Sequence, residues 1–434
     1  MNNRSNELRV LIIIVFYILY VQFIVISDGS MIIRAEAVLD KIEKNEPVEY
    51  ENVNLIGDLD LSKMSSQTPG IVPSSIKFKN SEIYGIIIFN NTLLEKKVTF
   101  EKTVFHEPAY FFQTRFQGGA DFSSSQFDET ALFRRCLINL SAEFGEVRFR
   151  GFSDFRDSCI TADIANFRGS YFEDTANFLA TKFSVETANF EWSHFKGPAR
   201  FWHSTFGVLA NFRGSYFEDI ADLYEVQFNE TADFFGARFE KDLYFNDVKF
   251  KTFKVQWESI EDKLECNGPP YLLLIKNFKE QEQFEDADNC YFQYRNWKRD
   301  GRNLGWPKLF DYLAWISCGY GIRWHHTIIS GFLVSILFGF YFEFNNVKKM
   351  IFGSLFIKEP IWFRINKIKQ NLKRSISLST MILLSLPTEW FPFGKVEYEK
   401  LVKTHLLSAI IERLIGWSLM LLLIGTLSRV MVRY

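Results

Sequence analysis

Ala165-Asn166-Phe167-Arg168-Gly169-Ser170-Tyr171-Phe172 and Ala210-Asn211-Phe212-Arg213-Gly214-Ser215-Tyr216-Phe217 are near copies of one another, and the spacing inside them runs far beyond both. A large apolar residue recurs at alternating steps of five and six from Phe78 through Phe89, Phe100, Phe111, Phe122, Phe127, Phe133, Phe144, Phe149, Phe155 and Ile160. One seven-residue step reaches Phe167, Phe172, Phe178 and Phe183, and a second reaches Phe190; the beat then resumes through Phe212, Phe217, Phe234 and Phe239 to Phe250. Helices repeat every 3.6 residues and strands every two, so neither element alone has this period. A self-similar repeat of this kind is the mark of a solenoid.

A small residue stands two positions before every other rung: Ala109, Ala120, Ala131, Ala142, Ala165, Ala176, Ala188, Ala199, Ala210, Ala221 and Ala232. Residues two apart on an extended segment point the same way. Each Ala-x-Phe therefore turns a small and a large side chain inward together, with Asn166, Asn177, Asn211 or Asp233 facing water between them. Four short sides joined by tight corners close a coil of about 22 residues, and successive coils stack about 4.8 Å apart. Phe then falls on Phe up a central spine, its structural rungs including Phe122, Phe127, Phe167, Phe172, Phe178, Phe183, Phe212 and Phe217. Gly169 and Gly214 fall between rungs, where corners need permissive backbone.

The pattern resembles the pentapeptide-repeat family, carried by the two octapeptides quoted above; alternate units here hold a sixth residue. The resemblance implies a right-handed quadrilateral β-helix over about two fifths of the chain.

The chain has 434 residues, more than one ordinary domain, and a net charge of −2 that offers nothing global to a nucleic acid. Residues 47–257 hold 29 acidic against 22 basic side chains, too slight an excess to imitate a DNA duplex. Cys136, Cys159, Cys266, Cys290 and Cys318 lack the spacing of a zinc site or disulfide framework and read as free thiols. No nucleophile, phosphate-loop or metalloprotease motif occurs, and His106, His194, His203, His325, His326 and His405 lack convergent partners in sequence. Glu173-Asp174 and Glu218-Asp219 repeat in register as surface corners. The expectation is a chain without catalytic residues, cofactor or metal.

Residues 1–30 contain the uncharged stretch Val10 to Ser27 behind Arg4 and Arg9, which reads as a signal anchor. Residues 31–46 read as a capping helix presenting Val38, Leu39 and Ile42 to the open end of the β-helix, which spans 47–257. A first coil through Tyr50, Leu55 and Leu61 precedes an interruption at Ser65 to Ser75. A helical linker covers 258–322, starting at Pro269-Pro270, and a membrane domain covers 323–434.

In that last part Trp324 to Phe342 and Leu406 to Val432 are long enough to span, while Ser375 to Pro387 is short and reads as re-entrant or interfacial. The connector carries Lys348, Lys349, Lys358, Arg364, Lys367, Lys369, Lys373 and Arg374, which reads as cytoplasmic and leaves the rod outside. Ile361, Trp362, Ile365 and Ile368 among these bases suggest an amphipathic helix on anionic lipid. The expected role is a membrane-anchored, non-catalytic interaction scaffold, with the lipid bilayer, protein partners on the rod surface and further copies of the chain as contacts.

The span–hairpin–span tail also resembles a two-helix pore-loop channel module, as carried by archaeal and bacterial pentapeptide-repeat membrane proteins. That resemblance implies an oligomeric pore, with Glu389 as a selecting ring and Gly416 or Gly425 as a bend in the lining helix. Glu412 belongs to the same candidate set, although Glu412 and Arg413 also read as an interfacial pair fixing the last helix's depth. Ser385-Leu386-Pro387-Thr388-Glu389-Trp390 lacks a potassium-type filter.

Overall fold

The computed structural model describes residues 31–62, 70–352, 361–386 and 395–431. They divide into two compact units, with the boundary in sequence between Gln281 and Glu282. The first unit is a β-solenoid of about ten turns. One coil runs Tyr171–Phe172, Ala176–Asn177, Lys182–Phe183, Thr187–Asn189, one short strand per side. Every strand pairs in parallel with its counterpart one coil on: Val98 with Ala120 and Gln126 with Arg148, 22 positions later, Tyr171 with His194 and Ala176 with Ala199, 23 positions later. The two seven-residue steps fall at the same corner of consecutive coils. The first appears as a register slip between Leu140 and Ala142, where Leu137–Glu143 and Cys159–Asn166 straighten into longer strands.

The expected single spine is four columns, one behind each side. Phe127–Phe149, Phe144–Phe167, Phe155–Phe178 and Phe183–Phe206 stack along their columns at 5.1, 4.9, 4.9 and 4.7 Å with planes within 9°. Rings on opposite sides meet edge to face across the interior, as in Phe133–Phe144 at 5.3 Å and Phe167–Phe178 at 5.5 Å, both at 90°. Offset-parallel and perpendicular contacts are the two arrangements the ring quadrupole favours. The alanines fill the inward place beside a Phe on two sides of each coil, and all eleven are buried; towards the two ends the same place is taken by larger residues such as Ile76, Ile87, Val98 and Leu243.

On the other two sides the residue two before the rung is most often Ser or Thr, with Val147, Val226, Ala237 and Val248 as exceptions, a regularity the reading of the sequence passed over. Thr114, Ser158, Thr181 and Ser193 are buried and donate to the carbonyls of Phe89, Phe133, Phe155 and Phe167 one coil back, at 2.6–2.7 Å. Cys136 takes the same place, its Sγ 2.8 Å from the carbonyl of Phe111. These hydroxyls satisfy carbonyls that corner geometry removes from the strand ladder, and a buried carbonyl without a partner is costly.

Two corners per coil need a residue in the left-handed region. Gly169 and Gly214 supply it, but Gln113, Arg135, Asp157, Ala180 and His203 hold φ near 55° without being glycine. Such residues cost about 1–2 kcal/mol each, a strain the Phe columns over-determine.

Both ends are closed. Helix α1 (Ala35–Glu43) buries Ala35, Val38 and Ile42. The residues before it do not start the helix, as 31–46 suggested: Met31–Arg34 is a strand paired with Val53–Ile56. The first coil forms as expected, Tyr50 pairing with Phe78, and residues 63–69 of the interruption lie outside the described residues. At the far end come α2 (Trp257–Ile260) and α3 (Gly268–Glu280). Asn277 of α3 takes the place of a further strand: its Nδ2 donates to the Phe253 carbonyl at 2.8 Å and its Oδ1 accepts from the Phe253 amide at 3.0 Å. The region 258–322 is thus not one linker. Its part up to Gln281 completes the solenoid, and the rest belongs to the second unit.

That unit contains α4 (Phe284–Asp300), α5 (Trp306–Cys318), α6 (Trp324–Phe352), α7 (Ile361–Leu384), α8 (Lys395–Thr404) and α9 (Leu406–Met431). Trp324–Phe344 and Leu406–Arg429 are long and apolar enough to cross a membrane. The expected division between an amphipathic segment at Ile361–Ile368 and a separate short hairpin at Ser375 is corrected: α7 is continuous, because no Pro or Gly interrupts Ile361 to Leu384.

Phe133→Ala removes a ring from the middle of its column and is expected to cost about 3–5 kcal/mol, read as a lowered unfolding temperature of the solenoid. Ala180→Gly relieves a left-handed corner at φ 55° and is expected to raise that temperature by the equivalent of about 1 kcal/mol.

Candidate functional site

The rod's outward residues are positioned by the same ladder that stacks the rings. On the side built from strands such as Val104–Phe105, Gln126–Phe127 and Arg148–Phe149, the residues flanking each inward Phe form a file of alternating charge. His106 stands between two carboxylates, Nδ1 2.9 Å from Asp128 and Nε2 3.1 Å from Glu82. Its ring stacks on Tyr84 at 4.5 Å, and the Tyr84 hydroxyl donates to Glu82. Asp128 also accepts from Arg150 at 2.8 Å, and Arg148 donates to Glu173 at 2.7 Å. Further along, His194 lies between Tyr171 and Tyr216 with Nε2 2.7 Å from Glu218. The paired acids are divided in the same way, Glu218 going to His194 and Asp219 to Lys241 at 2.9 Å.

His203 faces a different neighbour, Glu225 at 2.9 Å, so His194 and His203 do not converge. Among the described residues no group of three or more His, Cys, Asp or Glu could hold a metal. All five cysteines are free thiols. Burial, with the Glu265 charge adding to it, pushes the Cys266 thiol up to about 12, and burial pushes that of Cys136 up as well, so neither is a ready nucleophile.

Helix α5 is inverted in polarity. It buries Asp311, which receives Arg295 Nη2 at 2.7 Å and is paired with Arg302, and it exposes Trp306, Leu309, Phe310, Leu313 and Ile316 on one stripe. The next helices form a bundle whose contacts fix its directions. Ser375 Oγ donates to Glu343 at 3.1 Å, and a Cβ at Gly339 would fall 2.6–2.9 Å from Ile376, so α7 runs antiparallel to α6. Ser379 donates to Glu412, and a Cβ at Gly416 would fall 1.9 Å from the Leu383 carbonyl, so α7 runs parallel to α9. Helix α8 returns alongside α9, with Tyr398 accepting from Arg413 at 2.7 Å and Tyr398, Leu401 and Val402 packed on Phe342, Ile382 and Ala409.

The pore candidates fare differently. Glu389 lies outside the described residues. Glu412 is completely buried and bonded to Ser379, while Arg413 turns to Tyr398, so the two side chains are directed to different partners. Gly416 is where α7 and α9 touch, a packing demand rather than a bend, and Gly425 has nothing within 4 Å of its Cβ position. Sequence reasoning missed Ser375 and Ser379, whose i, i+4 spacing puts both on one face of α7.

Residues 89–137 match the family model for pentapeptide repeats (9 copies). No curated protein and no solved structure matches the chain.

The Glu82 carboxyl is held below the usual range, first by the Tyr84 hydroxyl and then by His106, against the opposing effect of burial. A depressed value contributes stability above the ordinary glutamate range, and that contribution is lost as pH falls through the folded-state value. Thermal unfolding of the wild type and Glu82→Gln is therefore expected to differ at neutral pH and to converge in acid; a constant gap would contradict it.

Proposed function

We propose that the chain is a membrane-anchored, non-catalytic pentapeptide-repeat scaffold that presents its rod outside the membrane to protein partners. The observation that carries this reading is the use made of the rod's chemistry. Its phenylalanine rungs are committed to the interior columns, its histidines and many of its charges pair one coil on, and only scattered aromatic side chains such as Trp192, Trp202, Phe235 and Tyr244 are left exposed. What remains is a long, rigid, polar surface with alternating charge, suited to recognition over an extended length. The two apolar helices α6 and α9 support membrane association, and the exposed stripe of α5 suits the interface beside them. The basic connector supports placing the rod on the opposite side from it.

A second reading, an oligomeric ion or small-solute channel, is favoured by one feature. The C-terminal half of α7 enters the bundle as far as Gly416, and α8 comes back along α9. A descending and a returning segment between two spans is the layout of a re-entrant loop, tolerated at membrane depth where protein covers it.

Two measurements test these readings, the first their shared topology and the second the choice between them. Reporter fusions at Lys349 and at the C-terminus are expected on the cytoplasmic and exterior sides respectively; the reverse pattern would place the rod inside. Planar-bilayer recording of purified protein is expected to be silent for a scaffold, whereas conductance abolished by Glu389→Gln would establish the pore.

A further inference from the structure

We infer that Glu412, bonded to Ser379, is a proton-binding site within the membrane-embedded bundle. The inference rests on the membrane reading of α6 and α9 given above. Glu412 lies six residues into the Leu406–Arg429 span, about 9 Å along the helix from its start. Its side chain has no solvent exposure; one oxygen accepts from Ser379, and the other, Oε2, has no hydrogen-bond partner.

A carboxyl buried as an ion with an oxygen unpaired costs far more than the same group buried as an acid. The obvious counter-charge is directed elsewhere: Arg413 Nη2 donates to Tyr398 on α8. The other titratable or charged groups that the packed helices bring to this end are Tyr341 and Glu343 on α6, Lys373 and Arg374 on α7, Glu399, Lys400 and Lys403 on α8, and His405 on α9. Of these, Glu343 receives Ser375, and Tyr341 bonds Ser408 at 3.2 Å and lies against the His405 ring at 5.8 Å.

A cavity lies beside the site, although neither Glu412 nor Ser379 lines it. It measures 210 Å³ between α6, α7 and α9 and is lined by Thr380, next to Ser379, and by Gly416, one turn beyond Glu412. Its remaining walls are mainly apolar and include the exposed Phe332 and Met420, so an apolar reagent dissolved in lipid reaches the neighbourhood of the carboxyl from the bilayer side.

Dicyclohexylcarbodiimide tests this directly. The protonated carboxyl adds across one C=N bond of the reagent: a C–O bond forms, the proton passes to nitrogen, and nothing leaves. The chain gains the mass of one reagent molecule, located by peptide mapping. In full-length protein reconstituted in phosphatidylcholine vesicles, the label is expected on Glu412, declining as pH rises along a one-proton titration.

Glu412→Gln is expected to lose the label and Glu343→Gln to keep it. Ser379→Ala, which leaves the carboxyl in place, is expected to keep it with a displaced pH midpoint. Labelling that is absent at every pH, found only on Glu343, or unchanged between acid and alkaline conditions would overturn the site. Release of the chain from its vesicles by alkaline carbonate would instead overturn the membrane reading, which keeps the two failures distinct.

Discussion

Strand spacing governs the solenoid. Parallel strands in a ladder sit about 4.8 Å apart, and offset aromatic rings are comfortable at nearly the same separation. A Phe placed at the same point of every coil therefore stacks without adjustment, as the 4.9 Å separations of Phe172–Phe195 and Phe178–Phe201 show. Everything else about the rod follows from keeping that register. A coil of 22 residues maintains it, and a 23-residue coil does so because its extra residue sits at a corner, where a register slip such as that between Leu140 and Ala142 absorbs it. That is how the chain tolerates its two seven-residue steps. The left-handed corners at Gln113, Asp157 and Ala180 are strained side effects of the same requirement, since a tight turn must occur there whatever the residue.

This explains why the rod was legible in sequence and where legibility ended. Period and phase are properties of side-chain type, so the rungs, the alanines and the two slips could all be read directly. The Ser/Thr ladder could have been read as well, because Thr114, Ser158, Thr181 and Ser193 each stand two before a rung. It was passed over because small polar residues in a repeat look like ordinary corner residues. The strand Met31–Arg34 was less accessible. Its four residues run straight into α1, and only its pairing with Val53–Ile56 makes it extended. Asn277 was out of reach, since its role as a surrogate strand depends on where α3 lies against Phe253.

The helical unit was read less well for a different physical reason. Hydropathy reports the average polarity of a segment, whereas helix continuity depends on backbone propensity. Residues 361–374 are basic and 375–384 apolar, so composition separates them; the helix crosses the change because nothing between Ile361 and Leu384 breaks it. Likewise Gly416 suggests flexibility by residue type, yet its work is to let the Leu383 carbonyl approach where any Cβ would collide. Small residues at helix crossings are the means by which apolar bundles pack closely without a hydrophobic drive between them.

Close packing has a chemical consequence for the bundle. With Gly339 against Ile376 and Gly416 against Leu383, α7 is drawn between α6 and α9 until its face of Ser375 and Ser379 has no water to bond. Those hydroxyls need acceptors, and the neighbours that supply them are Glu343 and Glu412, one from each flanking helix. A chain selected only to hold a rod at a membrane could have met that need with backbone carbonyls, as Thr380 does through Ile376. Using carboxyl groups instead introduces two titratable side chains into a buried interior, where an ionised group is expensive to keep. Helix α7 is thereby tied to α9 through a carboxyl group that accepts from Ser379. The Ser379–Glu412 contact at this junction thus joins the Glu82–Tyr84–His106 group of the rod as a place where a carboxyl is held by specific hydrogen bonds.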